Sequence, residues 1–195
     1  MMKTDQPASV MVISQTDKLY QFLKKILPQD QFSPVISTIG AGEAQRYLIN
    51  RSVDIVVINA PLKDASSTDL AIDIAQHSRC GVLLMVKSEI YDQVTYRVED
   101  YGVLTLSRPC TSKDIFQSMK LLLATQARLK KLEKKTAKLE EKMDEIRLVN
   151  RAKGLLMDNL KMTEAEAHRY IEKAAMDNCE KKSVIAKNII KIYGK

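Results

Sequence analysis

Near the carboxyl end of the chain, Arg147, Arg151 and Gly154 recur at steps of four and three residues. On a helix they share one face. Two guanidiniums beside a stretch of bare backbone suit phosphates and a stacked nucleobase. A glycine inside a helix costs about 1 kcal/mol against alanine, so either another helix packs closely at Gly154 or a ligand backbone approaches there. Lys153 flanks the glycine, and Met157 and Met176 are further candidates that the pattern leaves divided between contact and core. Lys181 and Lys182 add charge just before Ser183, read here as the cap of a last helix whose first amides also face outward. Together these side chains offer polyanion binding.

Other chemistry finds little support. The two histidines, His77 and His168, fall on helical segments without a nucleophile or metal spacing nearby, and no glycine-rich phosphate loop is present. Cys80, Cys110 and Cys179 are an odd number without paired spacing, so neither a disulfide framework nor a zinc site is expected. No enzyme, no metal and no cofactor are expected. No run approaches the roughly 20 apolar residues that span a bilayer, and Met1 to Ser9 lacks the apolar core of a secretory signal. A cytoplasmic protein is expected.

The net charge of +7 is unevenly placed. Residues 1–127 hold 13 Lys/Arg and 13 Asp/Glu, whereas residues 128–195 hold 18 and 11. The excess therefore sits wholly in the last third. Concentrated cations bind nucleic acid by releasing its condensed counterions, although a lysine-rich solvated helix has the same composition.

The elements that must position these residues differ along the chain. Val10–Ile13, Pro34–Ser37, Ile55–Ile58, Val82–Val86 and Val103–Leu106 are short apolar or β-branched runs, the mark of strands buried on both faces. Helical patterns around Leu19 to Leu27, Ala44 to Ile49 and Leu70 to Ala75 separate them. Such alternation predicts right-handed βαβ crossovers and a doubly wound, flavodoxin-like five-stranded parallel sheet. The fold class expected is thus α/β followed by an all-α part.

From about Ser112 to Asp158 there is no proline, and Gly154 is the only glycine. Leu129, Leu132, Leu139, Met143 and Ile146 mark the a and d positions of nearly three heptads, with Thr136 filling the remaining a site. In a parallel pair, Arg128 would face Glu133 and Lys135 would face Glu140, both attractive, while Lys142 would face Arg147. A parallel coiled-coil homodimer is expected, the alternative being a long helix lying on its own N-terminal domain. Two shorter helices follow. One opens on the capping box Thr163–Glu166 and carries Ala167, Tyr170, Ile171, Ala174 and Ala175, with Asn178 as a stop. The last carries Val184, Ile185, Ile189, Ile190 and Ile192.

Over roughly residues 8–125 the order of segments resembles the response-regulator receiver domain. That family places an acidic pair after its first strand, a phosphoacceptor aspartate after the third, Thr or Ser after the fourth and Lys-Pro after the fifth. Here those positions read Ser14 and Gln15, then Asn59, then Val86 in our alignment, then Arg108 before Pro109. An amide cannot form an acyl phosphate, and magnesium has few carboxylates to hold it. The resemblance implies a degenerate, non-phosphorylatable pseudo-receiver over residues 1–125, retained as a docking surface for a sensor protein. Arg108 either reaches the old acceptor pocket and pairs with Asn59 or stays exposed.

The stretch Arg147–Met157, then Met162–Ala167, Tyr170–Ile171 and Ala174–Met176, resembles the ANTAR domain, the RNA-binding module of transcription antitermination regulators. The Ala-Lys-Gly-Leu-Leu-Met run is its specific core. The resemblance implies a coiled-coil dimerisation helix at 113–149 and a three-helix ANTAR bundle at 145–195, an AmiR-like order behind a degenerate receiver. It further implies a dimer that binds paired hairpins in leader mRNA and prevents a terminator from forming. Two alternatives stand beside it. A DNA-binding response regulator would need a recognition helix, for which the final helix offers Lys187, Asn188 and Lys191. A protein-docking module would carry its basic tail incidentally.

Overall fold

The computed structural model describes residues 7–194, which pack as two compact units, one through Lys130 and one from Lys131. Residues 1–6, on which the lack of a leader is partly read, and Lys195 lie outside the described residues.

In the first unit the buried runs form β1 (Ala8–Ile13), β2 (Phe32–Thr38), β3 (Ile55–Asn59), β4 (Gly81–Lys87) and β5 (Leu104–Arg108). They pair in parallel in the order β2-β1-β3-β4-β5. This is the expected doubly wound, flavodoxin-like sheet. β2 starts at Phe32, two residues before the expected Pro34, because Phe32 is itself buried against Val10 and Leu23. Helices α1 (Lys18–Ile26), α2 (Ala41–Asn50), α3 (Ser67–His77) and α4 (Tyr91–Val98) connect the strands.

Two cores result, one on each face of the sheet. One joins Val56, Ile58, Val82, Leu84 and Val86 to α2, α3 and α4. The other joins Val10, Val12, Val57, Leu83 and Met85 to α1 and to Ile115, Met119 and Leu122 of α5 (Ser112–Leu160). Gly81 sets the approach of α5 to β4, since a Cβ there would lie 3.0 Å from that of Leu122. Helix α4 has no clear apolar pattern because only Val94 and Val98 are buried. Val94 and Val98, with Tyr91, pack it on the core, and polar ties add to this: Thr95 to Thr105 at 2.7 Å and Arg97 to Asp69 at 2.6 Å.

The second unit packs the end of α5 with α6 (Glu164–Asp177) and α7 (Lys182–Tyr193). Ala152, Leu156, Ala167, Ile171, Ala175, Ile185, Ala186 and Ile189 are its buried centre. The alanines let the helices approach closely. The capping box forms as expected: the Thr163 hydroxyl accepts from the Glu166 amide at 3.3 Å, and the Glu166 carboxylate accepts from the Thr163 amide at 2.8 Å. Asn178 closes α6, and Cys179 takes the left-handed conformation beyond it. The last helix departs from expectation. It begins at Lys182 with Lys181 as its cap residue, and no side chain caps it; Ser183 lies inside the first turn. The Lys182 ammonium lies 2.5 Å from the Glu172 carboxylate, which holds this first helical residue against α6. Among the described residues no helix is long and apolar enough to cross a membrane.

Candidate nucleic-acid interface

Helix α5 turns Leu148, Val149, Ala152 and Leu156 into the core of the second unit. At 3.6 residues per turn, this leaves Arg147, Gly154 and Met157 on its other side. Arg147 and Arg151 are exposed, and Arg147 makes only a loose pair with Asp144 at 3.6 Å. A Cβ added at Gly154 would meet nothing within 4 Å. Close packing by another helix of the same chain therefore does not account for the glycine. This face is smooth backbone flanked by two guanidiniums, a shape that a phosphate chain can approach closely.

Lys153 points elsewhere. Its side chain is only 15% exposed, and its ammonium meets the Glu164 carboxylate at 2.8 Å. It lines a groove of about 520 Å3 with Lys142, Ile146, Asn150, His168 and Lys182. Lys182 is shared with the Glu172 carboxylate, which also lies 3.3 Å from His168. The Lys153 hydrogen bond and charge hold the Glu164 carboxyl below its usual range, and the Lys182 hydrogen bond and charge do the same for Glu172. Lys153 and Lys182 are thus partly neutralised, whereas on the arginine face Arg147 has only the loose pair with Asp144. Lys181 pairs with Glu141 at 3.3 Å across open surface, and Met176 stands exposed on α6.

Of the eight candidates, Arg147, Arg151, Gly154 and Met157 share the open face of α5, Lys153 and Lys182 line the groove, and Lys181 and Met176 stand apart on exposed surface. Lys142, Asn150 and His168 belong to the groove but not to the sequence-predicted set. The spacing of Lys142, Ile146, Val149 and Lys153 at four, three and four residues carries that signal.

The seam residues Leu129, Leu132, Leu139, Met143 and Ile146 are each between 47% and 60% exposed in the single chain.

At the carboxyl ends of the strands, the residues compared above with a receiver's acceptor site make hydrogen bonds within the chain. The Asn59 amide donates to the buried Ser14 hydroxyl at 3.1 Å, and the Gln15 amide donates to the Pro61 carbonyl at 2.7 Å. Arg108 takes neither of the two courses expected from sequence: it is half-buried and donates to the Ala60 carbonyl, not to Asn59. Val86 is displaced from this site. It is buried in the core with Ile58 and Leu84, on the sheet face opposite Asn59, and Lys87 takes the position. Neighbouring carboxylates are committed to structure. Asp17 accepts from the Ser37 hydroxyl, and Asp64 accepts from the Ala41 and Gly42 amides, which cap α2 and hold its carboxyl low. The magnesium ion that a receiver uses finds no fitting ligand set here, because Ser14 and Gln15 stand where carboxylates would hold it.

Comparison with known proteins matches both units. Residues 137–190 match the model of the ANTAR domain. Over 197 aligned residues the chain is 26% identical to the transcriptional regulatory protein PdtaR of Mycobacterium tuberculosis, covering 98% of this chain and 95% of the relative. The signal receiver domain of an HD domain-containing protein from Pseudomonas fluorescens Pf-5 superposes with a TM-score of 0.58 at 18% identity, covering 67% of this chain and 96% of that one. A response regulator receiver domain from Clostridium thermocellum gives 0.56 at 19% identity, covering 63% and 98%. These structural likenesses show the receiver fold alone. The ANTAR match, the receiver fold and the regulator homologue together support a protein of the ANTAR response-regulator type.

Proposed function

We propose that this chain is an RNA-binding transcription antiterminator. Paired through the Leu129–Ile146 seam, two chains bind paired hairpins in a leader transcript and keep a terminator from forming. The observation that carries this is the open face of α5, where Arg147 and Arg151 flank a glycine with no neighbour, inside the ANTAR match. The exposed heptad seam supports pairing, since about half of each apolar side chain meets water in the single chain. Two linked RNA-binding units turn the second hairpin contact into an intramolecular event, so two weak grips act as one tight one.

Control acts through a protein docked on the pseudo-receiver, not through phosphorylation. Asn59 cannot accept a phosphoryl group, and the side chains around it already bond to one another. In vitro transcription through the leader of the chain's own operon tests the proposal. Read-through past the terminator should rise with added protein and be unaffected by acetyl phosphate. Unchanged termination at saturating protein would reject it.

A further inference from the structure

The amino edge of the sheet, at the opposite end from the acceptor positions, holds a cavity of about 510 Å3. Ser9 lies at the start of β1, Asp54 precedes β3 and Cys80 precedes β4, so the cavity sits where three strands begin. The carboxyl ends of α2 and α3 wall it, and Lys130 of α5 closes one side. Pockets for small ligands run from about 300 to 1,000 Å3, so a metabolite-sized molecule fits. An adjoining groove of about 380 Å3 shares Leu48, Ile49, His77 and Ser78 with it.

Charge converges here from three separate stretches. Arg51 follows α2, Arg79 follows α3 and Lys130 stands on α5, whereas Asp54 is the one carboxylate among the described lining residues. That carboxylate is already satisfied. The Ser9 amide and hydroxyl donate to one oxygen at 2.9 Å each, and Lys130 lies 3.4 Å from the other. The ends of α2 and α3 add about half a negative charge each, which leaves the three cations still in excess. Arg51 lies over the Tyr47 ring, 5.3 Å from its centre, a contact that orients a guanidinium without cancelling its charge. Apolar surface completes the lining. Val53 and Cys80 are buried beneath it, and Ile49 at the rim is 78% exposed. Burial pushes the Cys80 thiol up to about 11, so this floor is neutral. Cations above carbon suit an anion carried on a carbon frame better than a bare ion.

We propose that this cavity binds a small organic polyanion. Arg51, Arg79 and Lys130 hold its carboxylate or phosphate groups, which guanidinium forks take equally in paired hydrogen bonds, and its carbon frame rests on Val53, Cys80 and Ile49. Doubly wound folds ordinarily take ligands at the carboxyl ends of their strands; this site uses the other edge, and it owes nothing to the proposed RNA binding.

The chain has two histidines, His77 in the cavity wall and His168 in the other unit, so their ring signals in NMR report the two places separately. The full chain is titrated with citrate, for carboxylates, and with fructose bisphosphate, for phosphates; chloride at matched ionic strength is the control. The His77 signal should shift saturably with at least one probe and not with chloride. Arg51→Gln should weaken that binding about tenfold, the loss of one charge-assisted contact, and Arg51→Gln combined with Lys130→Gln should abolish it. Both side chains are exposed, so these variants keep the fold. Lys182→Gln, on the other unit, should leave the His77 shift unchanged. A His77 signal that ignores both probes, or a shift indifferent to Arg51→Gln, would overturn the proposal and leave the cations as partners of the two helix ends.

Discussion

Lys153 and Glu164 form an ion pair, Nζ to Oε1 2.8 Å, that fastens the end of α5 to the first turn of α6. The lysine is nearly covered and the glutamate is open to water. A residue read from sequence as an RNA contact thus has a structural task, which variants can separate from RNA binding.

Lys153→Ala should lower both RNA affinity and melting temperature, whereas Arg151→Ala should lower affinity alone. Because Glu164 is open to water, solvent screens the pair, so the fall in melting temperature measured by circular dichroism should be small. Filter binding should show about tenfold weaker RNA binding for Arg151→Ala, as for a lost charge-assisted contact. Wild-type affinity in that variant would remove Arg151 from the interface.

Gly154→Ala gives effects of opposite sign. With open space around the new methyl, stability should rise by about 1 kcal/mol from helix propensity. RNA affinity should fall, because the backbone is no longer bare. A variant that is more stable and binds RNA as before would mean that no ligand approaches there.

The first unit carries a pH dependence at Asp54. Burial pushes this carboxyl up, but the Ser9 amide and hydroxyl, each at 2.9 Å, and the Lys130 ammonium outweigh it and leave it low. A depressed carboxyl contributes its full stability above the unfolded value of about 3.9 and loses it as pH falls through the lower folded value. Melting temperature should therefore fall more steeply below about pH 4 in the wild type than in Asp54→Asn. Parallel profiles would show that Asp54 contributes nothing.

The seam is open to direct attack. Leu139→Asp changes a side chain that the single chain leaves half exposed, so each chain should stay folded while sedimentation shows monomers. Affinity for RNA with two hairpins should drop about a hundredfold, and affinity for one hairpin should change little. Persistent dimers would place the interface elsewhere.

Much of this fold is legible locally. Val10–Ile13 and Ile55–Ile58 read as buried strands because continuous apolar runs permit little else, and the Thr163–Glu166 box is visible because both partners lie within one turn. What escapes depends on distant partners. Helix α4 escapes because its apolar stripe is short, Tyr91, Val94 and Val98, and its polar ties run to the distant Asp69 and Thr105. The start of α7 shifts from the expected Ser183 cap where Lys182 meets Glu172, ten residues back. A one-residue slip in alignment put Val86 where Lys87 stands, and on a strand one residue exchanges the core face for the site face. The arginine pair and Gly154 were readable as a shared helix face; the burial of Lys153 was not, since Glu164 is eleven residues away.

The decisive measurement is equilibrium binding of the purified full chain to leader RNA transcribed from upstream of its own operon, set against duplex DNA of the same sequence and followed as salt is raised. The account predicts tight binding of the paired hairpins, far weaker binding of the duplex, and a steep loss with salt as counterions return to the RNA. No binding of that leader at low salt, or equal binding of RNA and duplex DNA, would contradict it.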